Sequence, residues 1–194
     1  MIQLKSAAGP AASPFDTQQQ KRFDEGLAKA VAKYPADRTR AALLPALHLA
    51  QDLLGWLPDA AMAYVGFRLD VPPARVREVA TFYTMYRLKP LGRHHIEVCN
   101  SVSCWAMGSE KILKRCEEKL GIRPGEVSSD GKYSLGEAAC LAACGYAPAL
   151  LVNNYRYVEH VDEKALDALF ADLDRAPGQA MAPFPVPKDA GRSH

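Results

Sequence analysis

Four of the five cysteines in this 194-residue chain fall in two close pairs. Cys99 and Cys104 close the segment CNSVSC, and Cys140 and Cys144 close CLAAC. Each pair can bring its sulfurs together only by wrapping a loop around one object. A fold for this chain therefore has to deliver two loops, 36 positions apart between Cys104 and Cys140, to a common place. Structural disulfides do not explain the pairs. Residues 1–16 hold one lysine and no apolar segment of the secretory kind, so a cytosolic, reducing setting is expected.

Three objects compete for the thiols. Zinc favours C-x2-4-C spacing, and neither pair has the C-x2-C of a common zinc knuckle. A thiol-exchange centre prefers C-x-x-C, which is absent. A two-iron, two-sulfide rhomb presents thiolate positions at two separated ends, so each pair can serve one iron. A [2Fe–2S] cluster leads on spacing, and structural zinc stands as the alternative. None of His48, His94, His95, His160 or His194 lies in the C-x-H or C-x-x-H setting of a Rieske centre, and they read as surface or strand residues. Cys116 shares a helical stripe with Ile112, Leu113 and Leu120 and reads as a small buried hydrophobe. Around the pairs, the amides of Ser101, Val102 and Ser103 are candidates to point at sulfur. Trp105 and Met107 read as shielding or core, Ala142 and Ala143 keep their loop thin, and Gly145 suits a sharp turn.

The rest of the chain divides by hydrophobic period. Residues 17–90 read as a helical bundle. Asp16 or Thr17 caps a first helix with Phe23, Leu27, Ala30, Val31 and Tyr34 on one stripe, stopped by Pro35. Asp37 is positioned to cap a second that ends near Gly55, Pro58 suits the start of a third, and Pro72-Pro73 opens a fourth running through Val76, Val79, Tyr83 and Tyr86. After Pro90 the pattern becomes strand (94–99), helix (109–120), strand (133–135), a hairpin over 148–161 turning at Asn154-Tyr155, and a last helix capped by Asp162. That order is a small α/β domain over 91–175. The flanks, 1–16 and the proline-rich 176–194, bury too little apolar surface to offset ordering and are expected to be mobile. With 48% apolar and 24% charged residues the chain can build a core, and its net charge of +2 gives no reason to expect nucleic acid. No apolar run approaches the roughly 18 residues needed to cross a bilayer, so no direct membrane insertion is expected.

The segments ALLPALHLAQDLLGWLP (42–58), VREVATFYTMY (76–86), CNSVSCWAMGSEKI (99–112) and CLAACGYAPALLVNN (140–154) together resemble the small [2Fe–2S] subunits of the NADH-oxidising module of respiratory complex I. Diaphorase modules of NAD-linked hydrogenases and formate dehydrogenases share that architecture. The resemblance covers about residues 17–174. It implies an α+β fold, a helical bundle followed by a thioredoxin-like ferredoxin domain, with Cys99, Cys104, Cys140 and Cys144 holding one [2Fe–2S] cluster. It also implies a cis peptide before Pro148. The family's usual glycine in the second cysteine loop is replaced by Ala142, which matters if φ there must be positive.

Hydride from NADH carries two electrons and such a cluster takes one, so a flavin must stand between them. The chain has no G-x-G-x-x-G and no P-loop, which puts FMN and NAD on a partner subunit. The implied partners are that flavin- and NADH-binding subunit and further iron–sulfur subunits of a peripheral arm, at the cytoplasmic face of a membrane. Phe82, Tyr83 and Tyr86 read as bundle core or as interface, together with the face around Trp105. A matching hydrogenase or formate dehydrogenase subunit, a free thioredoxin-like ferredoxin and a zinc-stabilised adaptor are the alternatives.

Overall fold

The computed structural model describes residues 12–175, and the proline-rich segment 176–194 lies outside them. The described chain forms two compact units, with the division between Pro90 and Leu91.

The first unit is helical. Helix α1 (Thr17–Val31) starts at a capping box, in which the Asp16 carboxylate accepts from the Gln19 amide and the Gln19 side chain accepts from the Asp16 amide. Helix α2 (Leu43–Leu54) follows a single 3-10 turn at Thr39–Ala42, so it begins later than a cap at Asp37 would have it. Pro45 thus falls in its first turn, where no intrahelical N–H is lost. Gly55 closes it at φ 81°. Helices α3 (Asp59–Leu69) and α4 (Pro73–Phe82) complete the bundle.

Phe23, Leu27, Leu47, Tyr64, Val65 and Val76 lie at its centre, fully out of water. Phe15, in the stretch expected to be mobile, stacks on Phe23 with ring centroids 4.8 Å apart. Helix α4 also ends one turn sooner than its apolar spacing predicts. Tyr83 is extended, at φ −89° and ψ 115°, and Tyr86 reaches the core from a turn, donating its hydroxyl to the Leu44 carbonyl at 3.0 Å. The buried Gln51 holds that turn: its side chain donates to the Met85 carbonyl and accepts from the Arg87 amide.

The second unit is a four-stranded sheet in the order β2-β1-β3-β4. Strand β1 (His94–Cys99) pairs in parallel with β2 (Tyr133–Ala138), which runs longer than the period of its sequence suggests. Helices α5 (Val102–Ala106) and α6 (Ser109–Leu120) make the crossover between them. Strands β3 (Leu150–Val152) and β4 (Arg156–Val158) form an antiparallel hairpin. Its loop is Asn153 to Tyr155, with Asn153 and Asn154 both left-handed, one residue longer than Asn154-Tyr155 alone.

Helix α7 (Glu163–Arg175) closes the unit, with the Asp162 carboxylate accepting from the Ala165 amide. Ile96 and Val98 of β1, Leu135, Leu150 and Val152 pack against Ile112 and Cys116 of α6 and Leu166, Leu169 and Phe170 of α7. The Ala147–Pro148 peptide is cis, immediately before β3, as the thioredoxin-like resemblance implied. Among the described residues, no helix is long and apolar enough to cross a membrane.

Candidate metal centre

Strand pairing alone carries both cysteine loops to one end of the sheet. Cys99 is the last residue of β1, and in the parallel register it stands opposite Ala138, the last residue of β2. The chain leaving β1 therefore enters the Cys99–Cys104 loop beside the chain that leaves β2 toward Cys140, and the Asn100 amide donates to the Ala138 carbonyl at 2.9 Å. Carboxyl ends of parallel strands are where open α/β sheets ordinarily place their ligands. All four of these cysteines are free thiols in the structure.

Cys99 and Cys104 are both buried. Burial pushes the Cys99 thiol up, but the Ser101 hydroxyl, the Ser101 amide and the Leu141 amide outweigh it and bring the group below its ordinary value. Burial dominates at Cys104 and holds that thiol above its ordinary value, although the Ala149 amide donates to it. Ser101 thus meets the expectation of an amide aimed at sulfur and adds a hydroxyl.

Cys140 and Cys144 are exposed. Between them the backbone bends at Ala142, at φ 57°, and the Ala142 amide donates to Cys140 Sγ at 3.3 Å. The turn that Gly145 was expected to supply is made here instead. Gly145 lies in a 3-10 turn (Cys144–Tyr146) with open space where a Cβ would stand. Leu141 and Ala143 turn inward against Cys99, Cys104, Ala149 and Leu151, which seats the second loop on the first pair. The Tyr157 hydroxyl braces it from β4 by donating to the Leu141 carbonyl at 3.2 Å.

Among the described residues, no three His, Cys, Asp or Glu side chains gather around a single point. The thiols stand as one buried pair and one rim pair, and the Leu141 amide ties the rim loop to Cys99. Backbone N–H groups reach Cys99, Cys104 and Cys140, which suits thiolates that carry negative charge. This donor set fits a binuclear iron–sulfur group, with two thiols for each metal, better than a single tetrahedral ion.

The remaining candidates sort by burial. Cys116 is fully buried in the sheet–helix core and its thiol is pushed up to about 12 by desolvation, so it is a packing residue. His94 and His95 lie buried along β1, and His95 Nδ1 is 2.9 Å from Ser134 Oγ. Trp105 and Met107, read from the sequence as shield or core, are instead 57% and 63% exposed, as is Val102 at 78%. Val102 and Trp105 belong to α5, and Met107 caps its carboxyl end. This short helix holds Cys104 and is too brief for periodicity to reveal. The Leu141 and Ala149 amides carried no sequence signal, because only tertiary pairing brings them to sulfur.

The family model for thioredoxin-like [2Fe–2S] ferredoxins matches residues 27–174, and the chain belongs to that family. It is 49% identical over 135 residues to a subunit of the NADH-quinone oxidoreductase of Rickettsia bellii, a span of 69% of this chain and 81% of that one. Against NADH-quinone oxidoreductase subunit 2 of Thermus thermophilus the identity is 37% over 165 residues, 85% of this chain and 90% of that one. Among solved structures, an NAD+-reducing [NiFe]-hydrogenase in its H2-reduced state superposes with a TM-score of 0.61 at 27% identity. That match takes in 70% of this chain and only 23% of the hydrogenase chain.

Proposed function

We infer that this chain is the electron-transfer subunit of an NADH-quinone oxidoreductase, with Cys99, Cys104, Cys140 and Cys144 holding one [2Fe–2S] cluster. The observation that carries the reading is the in-register parallel pairing of β1 and β2, which brings two cysteine loops out side by side. When bound, such a cluster takes up and gives back one electron at a time. The residues of this chain do the rest. The buried Cys99 and Cys104 keep water from one end of the site, and the Ser101, Leu141, Ala142 and Ala149 amides offset negative charge on sulfur. Cys140 and Cys144 lie exposed at the solvent rim.

The neighbour is a flavin- and NADH-binding subunit, since this sequence has no dinucleotide fingerprint of its own. It docks on the exposed face of α5 formed by Val102, Trp105 and Met107. Further iron–sulfur subunits of the peripheral arm pass the electron on, and the chain meets the cytoplasmic face of the membrane only through that assembly. The second reading, a diaphorase subunit of an NAD-linked hydrogenase, draws support from the hydrogenase superposition. The higher identity of the oxidoreductase relatives favours the first.

Anaerobic purification of the full chain tests the site. The expected product is brown, with about two irons and two sulfides per chain. Cys104→Ser is expected to lose or shift the visible absorption, while Cys116→Ala leaves it unchanged. A colourless protein with one zinc, or the opposite ranking of the two variants, overturns the assignment. Co-purification with a membrane-bound quinone reductase rather than with a hydrogenase separates the two assemblies.

A further inference from the structure

Ser101 occupies the N-cap position of α5, where a serine hydroxyl ordinarily accepts from an amide in the first helical turn. Here it makes no such cap. Its Oγ lies 3.4 Å from Cys99 Sγ. A favourable local interaction of the helix is given up and the hydroxyl is turned onto sulfur. Departures of that kind from a local rule gather at functional sites. A thiol can donate to Ser101 Oγ. A metal-bound thiolate has no proton, so in the loaded protein the hydroxyl must be the donor.

We propose that Ser101 is a positioning residue for electron transfer, whose hydroxyl donates to the sulfur of Cys99 and raises the reduction potential of the group these cysteines hold. The inference rests on the proposed function and deepens it. One added electron adds one negative charge shared over the sulfurs, and a donor aimed at sulfur stabilises the more negative state. The Ser101 and Leu141 amides act in the same sense on Cys99, but backbone donors persist whatever the side chain. The hydroxyl is the part of this donor set that a side-chain substitution removes.

The test uses the full-length, cluster-loaded chain. Wild type, Ser101→Ala and Ser101→Thr are titrated anaerobically with dithionite, following the visible absorption and the paramagnetic resonance of the reduced state. Iron is counted in each. Ser101→Ala is expected to keep its iron and move the midpoint to a more negative potential. At a fixed ambient potential its reduced-to-oxidised ratio should fall about tenfold, which is ~59 mV for one electron. Ser101→Thr, which keeps the hydroxyl, is expected to titrate with wild type.

An unmoved midpoint in loaded Ser101→Ala overturns the proposal, as does a threonine variant that shifts as far as alanine. Loss of iron from Ser101→Ala alone would make Ser101 a residue of assembly and overturn it too. A wild-type chain that binds no iron fails at an earlier step, and it removes the functional reading together with this one.

Discussion

Ala142 adopts φ 57° in the second cysteine loop, a conformation that costs a non-glycine residue about 1–2 kcal/mol. Asp70, Asn153, Asn154 and His160 share the left-handed region, but each has a polar side chain of the kind that tolerates it, and Ala142 has only a methyl group. The bend persists because it aims the Ala142 amide at Cys140 Sγ and lets Leu141 and Ala143 face inward. Ala142→Gly relieves the strain at a solvent-exposed position and loses almost no packing. The freer unfolded chain takes back ~0.4–1 kcal/mol. A net gain of about 0.5–1 kcal/mol in urea unfolding is expected, with the visible spectrum of the loaded protein unchanged. A loss of stability would show that the methyl group packs. The sequence raised the question of φ at this residue and could not answer it, because a three-residue loop with two adjacent alanines allows several backbone paths.

At the scale of elements, the junction of β1 and β2 depends on Gly92. A Cβ built there would stand 2.3 Å from the Tyr133 carbonyl carbon and 2.7 Å from the Ser134 amide nitrogen. Both are backbone atoms of β2 and neither can swing aside. Gly92→Ala is therefore expected to destabilise the sheet unit by ~1–3 kcal/mol, the usual range for forced overpacking. Since that strand pair delivers both cysteine loops, the variant should also load less iron under matched reconstitution, measured as visible absorption per chain. Unchanged stability would mean that Leu91 and Gly92 can shift away from β2 without disturbing its register. The elements themselves were largely legible: the stripes of α1, α6 and α7 and the punctuation by Pro35, Gly55, Pro58 and Gly121 predict helices close to those found. The misplacement at α4 is instructive. Val76, Val79, Tyr83 and Tyr86 keep helical spacing, yet the chain leaves the helix after Phe82, because Gln51 and the Leu44 carbonyl hold the following turn through hydrogen bonds from another helix.

Over the whole molecule, the exposed face of α5 is the proposed docking surface for the flavin-bearing subunit. Trp105, Met107 and Val102 point to solvent beside a buried Cys104, and tryptophan is prominent among residues that dominate binding energy. Trp105→Ala is expected to weaken binding to the flavin-bearing subunit at least tenfold, read by calorimetry on the loaded chain, with iron content and absorption unchanged. Equal affinity would move the docking surface elsewhere, with Phe82, 77% exposed at the end of α4, as the next candidate. The amino-acid sequence by itself determined the four thiols, their division into pairs, the change from helical to mixed period near residue 90, and the absence of a nucleotide fingerprint. These are written in spacing and periodicity, which need no distant partner to be read. Tertiary structure alone decided which pair is buried, which amides and hydroxyl turn to sulfur, and which aromatic side chains are left in water. The burial of Cys99 and Cys104 and the reach of the Leu141 and Ala149 amides depend on residues far apart in the chain meeting at one end of a sheet, and strand register, rather than local pattern, sets where they meet.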